Sequence, residues 1–274
     1  MMVMHGSLKV MAWYSAMGAI VAYCVSACWI VWQWRAQKTS TAPLWLAWCA
    51  AALHTLYIGW LCAIQNGFSF GFLSVASLNI LSIVLVLLLT AMTKPVEKLG
   101  IMLFPMAASI LGLDALTNPA PHFLPIHTGG MAIHILASIL AFSLLSVGAV
   151  QAILLAIQYS QLKRHPPKRL FLRLPSLQTM EALLFQLVGS GVVLLTLSLG
   201  TGFLFVHDVF AQHLAHKTIL SMLAWLVFCA ILIGRLRFGW RGRVAVNWIL
   251  AGFLLLLLGY FGSKFVLELI LKRG

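Results

Sequence analysis

Carboxylates are almost absent from this chain. Its 274 residues hold five, Glu97, Asp114, Glu181, Asp208 and Glu268, each near the end of an apolar stretch. That excludes a proton relay through several buried acids, carboxylate acid–base catalysis, and a Ca²⁺ or Mg²⁺ site, which needs several oxygen ligands. Charge of any sign is scarce: Asp, Glu, Lys and Arg make up 8%, against about 25% in soluble domains. With 62% of residues hydrophobic, no polar stretch is long enough to form a separate catalytic module. There is no Ser-His-Asp order, phosphate loop or Cys-x-x-Cys. All five cysteines (Cys24, Cys28, Cys49, Cys62, Cys229) lie in apolar stretches, so no disulfide framework is expected. Cys24 and Cys28 are one helical turn apart, but no His or acid is near them in sequence. They read as small buried hydrophobes.

What the chain has instead is apolar length. A bilayer core of about 30 Å is crossed by roughly 20 helical residues. Eight stretches are about that long or longer, at 9–33, 43–63, 72–92, 99–117, 129–159, 180–206, 217–234 and 245–270. The expected fold is an all-α polytopic membrane protein, a single membrane domain over 1–274. The first stretch is too long for a signal-peptide core and reads as a retained helix. Pro43 opens the second helix, Thr93-Lys94-Pro95 separates the third from the fourth, and Pro119, Pro121 and Pro125 keep 118–128 out of helix.

Thirteen of the 18 Lys and Arg fall in four alternate connections: Arg35/Lys38, Lys94/Lys98, Lys163/Arg164/Lys168/Arg169/Arg173 and Arg235/Arg237/Arg241/Arg243. Short Lys/Arg-rich loops stay cytoplasmic. Both termini and the loops at 64–71, 118–128 and 207–216 are therefore expected outside, in the periplasm of a bacterial inner (cytoplasmic) membrane. The basic residues gather at membrane borders, where topology selection and anionic headgroups account for them. Membrane lipid is an expected partner; nucleic acid is not.

Histidine is the ionisable residue in supply. Of nine, His54 falls in the middle of the second helix and His134 one to two turns from the start of the fifth. His207 ends the sixth, His122 and His127 lie in the proline loop, and His213 and His216 in the loop before the seventh; His5 and His165 are peripheral. All but His54 of the first seven gather at the expected outer face. Three readings stay open: interfacial hydrogen bonding to backbone and water, a transition-metal site, or haem, which needs one or two axial histidines from separate helices and an apolar pocket. His134 and His207, on different helices at similar depth, suit haem. His54, deeper, suits a second haem position or a bond to a neighbouring helix. Asn79 and the Ser and Thr of the fifth and sixth helices read as cross-helix hydrogen bonders. Gly189, Gly191, Gly200 and Gly202 read as close-packing positions.

Several segments together resemble the cytochrome c assembly membrane proteins of the CcsA/CcmC-like superfamily, most nearly its short eight-helix YpjD/HemX-type branch. They are Met131-Ala-Ile-His134 through Phe142, Leu199-Gly-Thr-Gly-Phe-Leu-Phe-Val-His207, Lys217-Thr218 through Trp225-Leu226, the turn Phe238-Gly-Trp-Arg-Gly-Arg243, and Gly259-Tyr-Phe-Gly262. The likeness runs over about 125–265, with His54 the main correspondence before it. It implies haem handling in cytochrome c biogenesis: transient haem b, its iron ligated by His134 with His207 as candidate second ligand and His54 as a further cofactor-binding residue. It also implies partners from cytochrome c assembly or haem synthesis. The chain departs from full haem ligases between His207 and His216, which contain no tryptophan where those enzymes have a tryptophan-rich loop. Ligase chemistry and catalytic residues are therefore not assigned. The alternative implied by the HemX-type branch is a non-catalytic regulatory or accessory subunit that docks a cytoplasmic partner through the basic loops. A small-solute transporter is the third reading, and the paired broken helices it needs are not evident.

Overall fold

In a computed structural model the described residues are 2–38, 40–65, 67, 71–117, 129–163, 175–205 and 212–262, without the side chains of 2–6, 129 and 212–216. They form α1 (Met2–Ala36), α2 (Ala42–Gln65), α3 (Phe72–Ala91), a 3₁₀ turn (Glu97–Leu99) leading into α4 (Gly100–Thr117), α5 (Gly129–Leu162), α6 (Leu177–Phe205), α7 (Gln212–Phe238) and α8 (Arg243–Leu257), which ends in a π turn (Leu258–Gly262). Eight spans are long and apolar enough to cross a membrane, and no strand is present among the described residues. The expected all-α polytopic class is therefore observed. One boundary moves: α7 begins at Gln212, so His213 and His216 stand on its first turns and not in a loop. The run Gln212-His-Leu-Ala-His-Lys217 has no Gly or Pro to stop a helix.

The chain divides into two compact units, Met1–Pro125 and Ile126–Gly274. In the first, α1 packs on α2 and α4, and α3 on α4 and α2. Ala12, Ala16, Ala19, Tyr23, Ala27 and Ile30 of α1 are buried at steps of three or four residues, one face of a helix. Small side chains there, with Ala47, Ala50 and Ala51 of α2, let backbones approach where lipid gives no hydrophobic drive. The Ser26 hydroxyl, 2.7 Å from the Pro43 carbonyl, ties α1 to the start of α2. Pro105 inside α4 cannot donate to the turn before it, a fault that membrane helices tolerate.

In the second unit, α5 packs on α6 and α8, α7 on α8 and its π turn, and α6 on α7. Two of the four α6 glycines act as close-packing positions. A Cβ on Gly191 would meet the Leu145 side chain at 2.7 Å, and one on Gly202 would meet the His134 ring at 3.0 Å, whereas Gly189 and Gly200 have nothing within 4 Å. Outward faces are apolar throughout; Leu236 is 85% exposed. Cys24 and Cys28 differ from expectation for that reason: both are exposed, as is Cys49. A surface that meets acyl chains is as hospitable to a small apolar group as the core is. Asn79 differs too, its side-chain NH₂ donating within its own helix to the Val75 carbonyl at 2.9 Å.

Candidate functional site

Near the first turns of α5 and the last turns of α6, the side chains and backbone fix one imidazole. Gly130 lies against the Phe205 ring, so the two helix ends touch. His134, half-buried, has Nδ1 2.8 Å from the Ser198 carbonyl oxygen. A carbonyl only accepts, so Nδ1 carries the proton and Nε2 keeps its lone pair. The Cε1–Nδ1 edge of the ring lies close against Gly202: a Cβ there would stand 3.0 Å from Cε1 and 3.2 Å from Nδ1. Beside it, the Ser138 and Ser198 hydroxyls meet at 2.6 Å, and Thr201 bonds the Ser198 carbonyl at 3.0 Å. Metal-ligating histidines are held in this way: a backbone carbonyl accepts from the N–H of one nitrogen and leaves the lone pair of the other to ligate.

The remaining motif segments converge on the same unit. Phe142, the far end of the His134 segment, stacks on Tyr260 at 4.9 Å and meets Phe261 edge-on at 5.5 Å. Both partners lie in the π turn, a geometry that concentrates at functional sites. Gly259 lies against α7: a Cβ there would be 3.1 Å from Leu220 Cβ and 3.5 Å from the Lys217 carbonyl. Trp225 donates its indole N–H to Thr196 Oγ1 at 2.8 Å, joining α7 to α6.

His54 belongs to the first unit and is fully buried. Its Nε2 is 3.0 Å from Ser77 Oγ of α3, the bond to a neighbouring helix that was one of its two expected roles. Tyr23 packs edge-on against its ring, with 6.1 Å between centroids. His122, His127, His165 and His207 lie outside the described residues, as do the side chains of His213 and His216. Among the described residues no three His, Cys, Asp or Glu side chains gather as a metal site.

Two polar centres were not singled out in the sequence. Asp114 is 2% exposed; it accepts from the Tyr57 hydroxyl at 3.2 Å and lies 3.4 Å from Ser74 Oγ. Glu181, 6% exposed, accepts from the Tyr159 hydroxyl and, at 2.7 Å, from the Gly242 N–H. A signal existed for the first: His54 and Tyr57, like Ser74 and Ser77, are three residues apart, one polar stripe on each of two apolar helices.

The chain belongs to the cytochrome c assembly protein family, whose model matches residues 38–271, a wider span than the motif segments alone. It is 34% identical over 270 residues to the inner membrane protein YpjD of Escherichia coli K12, covering 93% of this chain and 98% of that one. It is 30% identical over 190 residues to an uncharacterized 28.8 kDa protein of Azospirillum brasilense, 67% of this chain and 69% of the relative. The cytochrome c biogenesis protein CcsA of Chlamydomonas reinhardtii is 24% identical over 188 residues, 65% of this chain and 52% of that one. No solved structure matches it. With its eight apolar helices, the chain is a multi-pass inner-membrane protein of this family.

Proposed function

We propose that this protein holds haem during cytochrome c assembly and hands it on, with His134 Nε2 as an axial ligand to the iron and His207 as the candidate second ligand. One observation carries the reading: the Nδ1–Ser198 bond of 2.8 Å over the bare Gly202 backbone. It aims a lone pair from a ring that is only half-buried. When bound, haem b would supply the iron and the vinyl groups that thioether attachment needs. The chain supplies position. Ser198 keeps the proton on Nδ1 and makes Nε2 a better donor, and Gly202 leaves room for the ring. The outward orientation of this end belongs to the proposal and rests on the alternate Lys/Arg loops.

The test is an absorption spectrum of protein purified in mild detergent from haem-replete cells. A Soret band with a low-spin reduced spectrum is expected, lost in His134→Ala and in His207→Ala. A wild type that shows no band even after haem is added overturns the reading and favours the regulatory subunit.

A further inference from the structure

Between α7 and α8 the chain turns through Phe238–Arg243, and the turn is rigid. Gly239 and Gly242 take φ of 65° and 68°, where other residues are strained. The Trp240 ring lies directly on the backbone of Gly234 and stacks on Trp248 at 6.1 Å, while the Trp240 backbone N–H donates to the Gly234 carbonyl at 3.1 Å. Arg235 donates to the Trp240 carbonyl at 3.4 Å. Glu181 reaches across from α6 to the Gly242 N–H and stands 3.9 Å from Arg235.

That carboxylate is fully engaged. Arg237, Arg241 and Arg243 are exposed, and among the described residues none of the three makes an ion pair. The turn thus presents three exposed arginines that have no ion-pair partner among the described residues. They alternate with large apolar side chains that also face outward: Leu236, Phe238 at 74% exposure and Trp248 at 41%. The turn joins two spans, Lys217–Phe238 and Arg243–Gly262, which puts it at headgroup depth.

We propose that this turn is a binding site for an anionic phospholipid. Arg237, Arg241 and Arg243 take the headgroup phosphate, which the guanidinium fork fits. Leu236, Phe238 and Trp248 lie along the acyl chains. A free inorganic anion would use the arginines but leave those apolar side chains without a purpose. A soluble protein would have to dock at the depth of the headgroups, in competition with the lipid already there.

The test is native mass spectrometry of the full-length protein in mild detergent, with phosphatidylglycerol, cardiolipin or phosphatidylethanolamine added. Retention of the two anionic lipids about tenfold above phosphatidylethanolamine is expected, from the attraction of several basic groups to an anionic headgroup. The triple variant Arg237→Gln/Arg241→Gln/Arg243→Gln should lose that preference, while Arg35→Gln/Lys38→Gln, which removes both basic residues of another connection, should keep it. Should the triple variant fail to elute as a folded species, Arg241→Gln and Arg243→Gln alone should each lower retention several-fold. No anionic preference, equal loss in both multiple variants, or displacement of lipid by millimolar inorganic phosphate would each overturn the proposal. The first would leave the arginines to a protein partner.

Discussion

Gly202→Ala should lower haem retention by about tenfold without unfolding the protein, and Gly202→Val should abolish it. The added Cβ would stand 3.0 Å from Cε1 and 3.2 Å from Nδ1 of His134, so the ring must give by a few tenths of an ångström. Its 2.8 Å bond to the Ser198 carbonyl then stretches, and disturbing the group that orients a metal-bound histidine typically costs 10–100-fold in affinity. Helix propensity runs the other way: exchanging glycine for alanine inside a helix favours folding by about 1 kcal/mol. A loss of haem with unchanged or raised thermal stability therefore separates displacement of the ligand from damage to the fold. Valine places a second carbon toward the ring and leaves it no room. Haem titration of both variants, followed at the Soret band, with thermal unfolding in detergent alongside, makes the comparison. Wild-type haem affinity in Gly202→Val would show that the His134 ring does not ligate.

Glu181→Ala should have the largest effect on stability. The side chain is buried and accepts hydrogen bonds from the Tyr159 hydroxyl and the Gly242 N–H. Alanine leaves both donors without their acceptor. Losing two hydrogen bonds to a charged acceptor costs about 3–6 kcal/mol at some 1.5–3 each, and the loss should lower the unfolding midpoint by about 6–24 °C at some 2–4 °C per kcal/mol for a chain of 150–250 residues. Arg235→Gln should cost less than about 1 kcal/mol, because its ion pair is long, at 3.9 Å, and its side chain is 32% exposed. Glu181→Gln keeps one acceptor oxygen and should fall between them. Thermal melts of the three variants in one detergent rank them. A Glu181→Ala melt within a degree of wild type would mean that the turn does not depend on this carboxylate.

The spans were legible because hydropathy and proline need no knowledge of facing: Pro43 and Thr93-Lys94-Pro95 separate helices where the sequence says they do. Facing was not legible, since a helix that is apolar all round carries no moment to read. Hence Cys24 and Cys28 were read as buried and point outward, and Asn79 was expected to cross helices and bonds its own. His134 was identified because a lone ionisable group near a helix end stands out in an apolar chain. Its orienting partner was invisible for the opposite reason: Ser198 contributes a backbone carbonyl, which every residue has. Glu181 was seen only as a carboxylate near a helix end, and its grip on a turn 61 residues away has no sequence signature at all.

The contacts between α5 and α6 run as a zipper with one register. From the His134–Gly202 contact, four residues forward on α5 and four back on α6 reach the Ser138–Ser198 hydroxyl pair. Seven more in each direction reach Leu145 against Gly191, and three more reach Gly148 against Val188. Each step of three, four or seven returns to the same helix face, so the imidazole is one tooth of a seam that is already set at residue 188. One residue inserted into α6 between Gly191 and Ser198 would rotate everything beyond it by about 100°, at 3.6 residues per turn. It would carry Ser198 and Gly202 away from the ring while every hydrophobic count along the helix stayed the same. The aim of His134 is thus a property of helix phase over several turns, and spacing along this seam is under tighter constraint than the identity of the apolar residues that fill it.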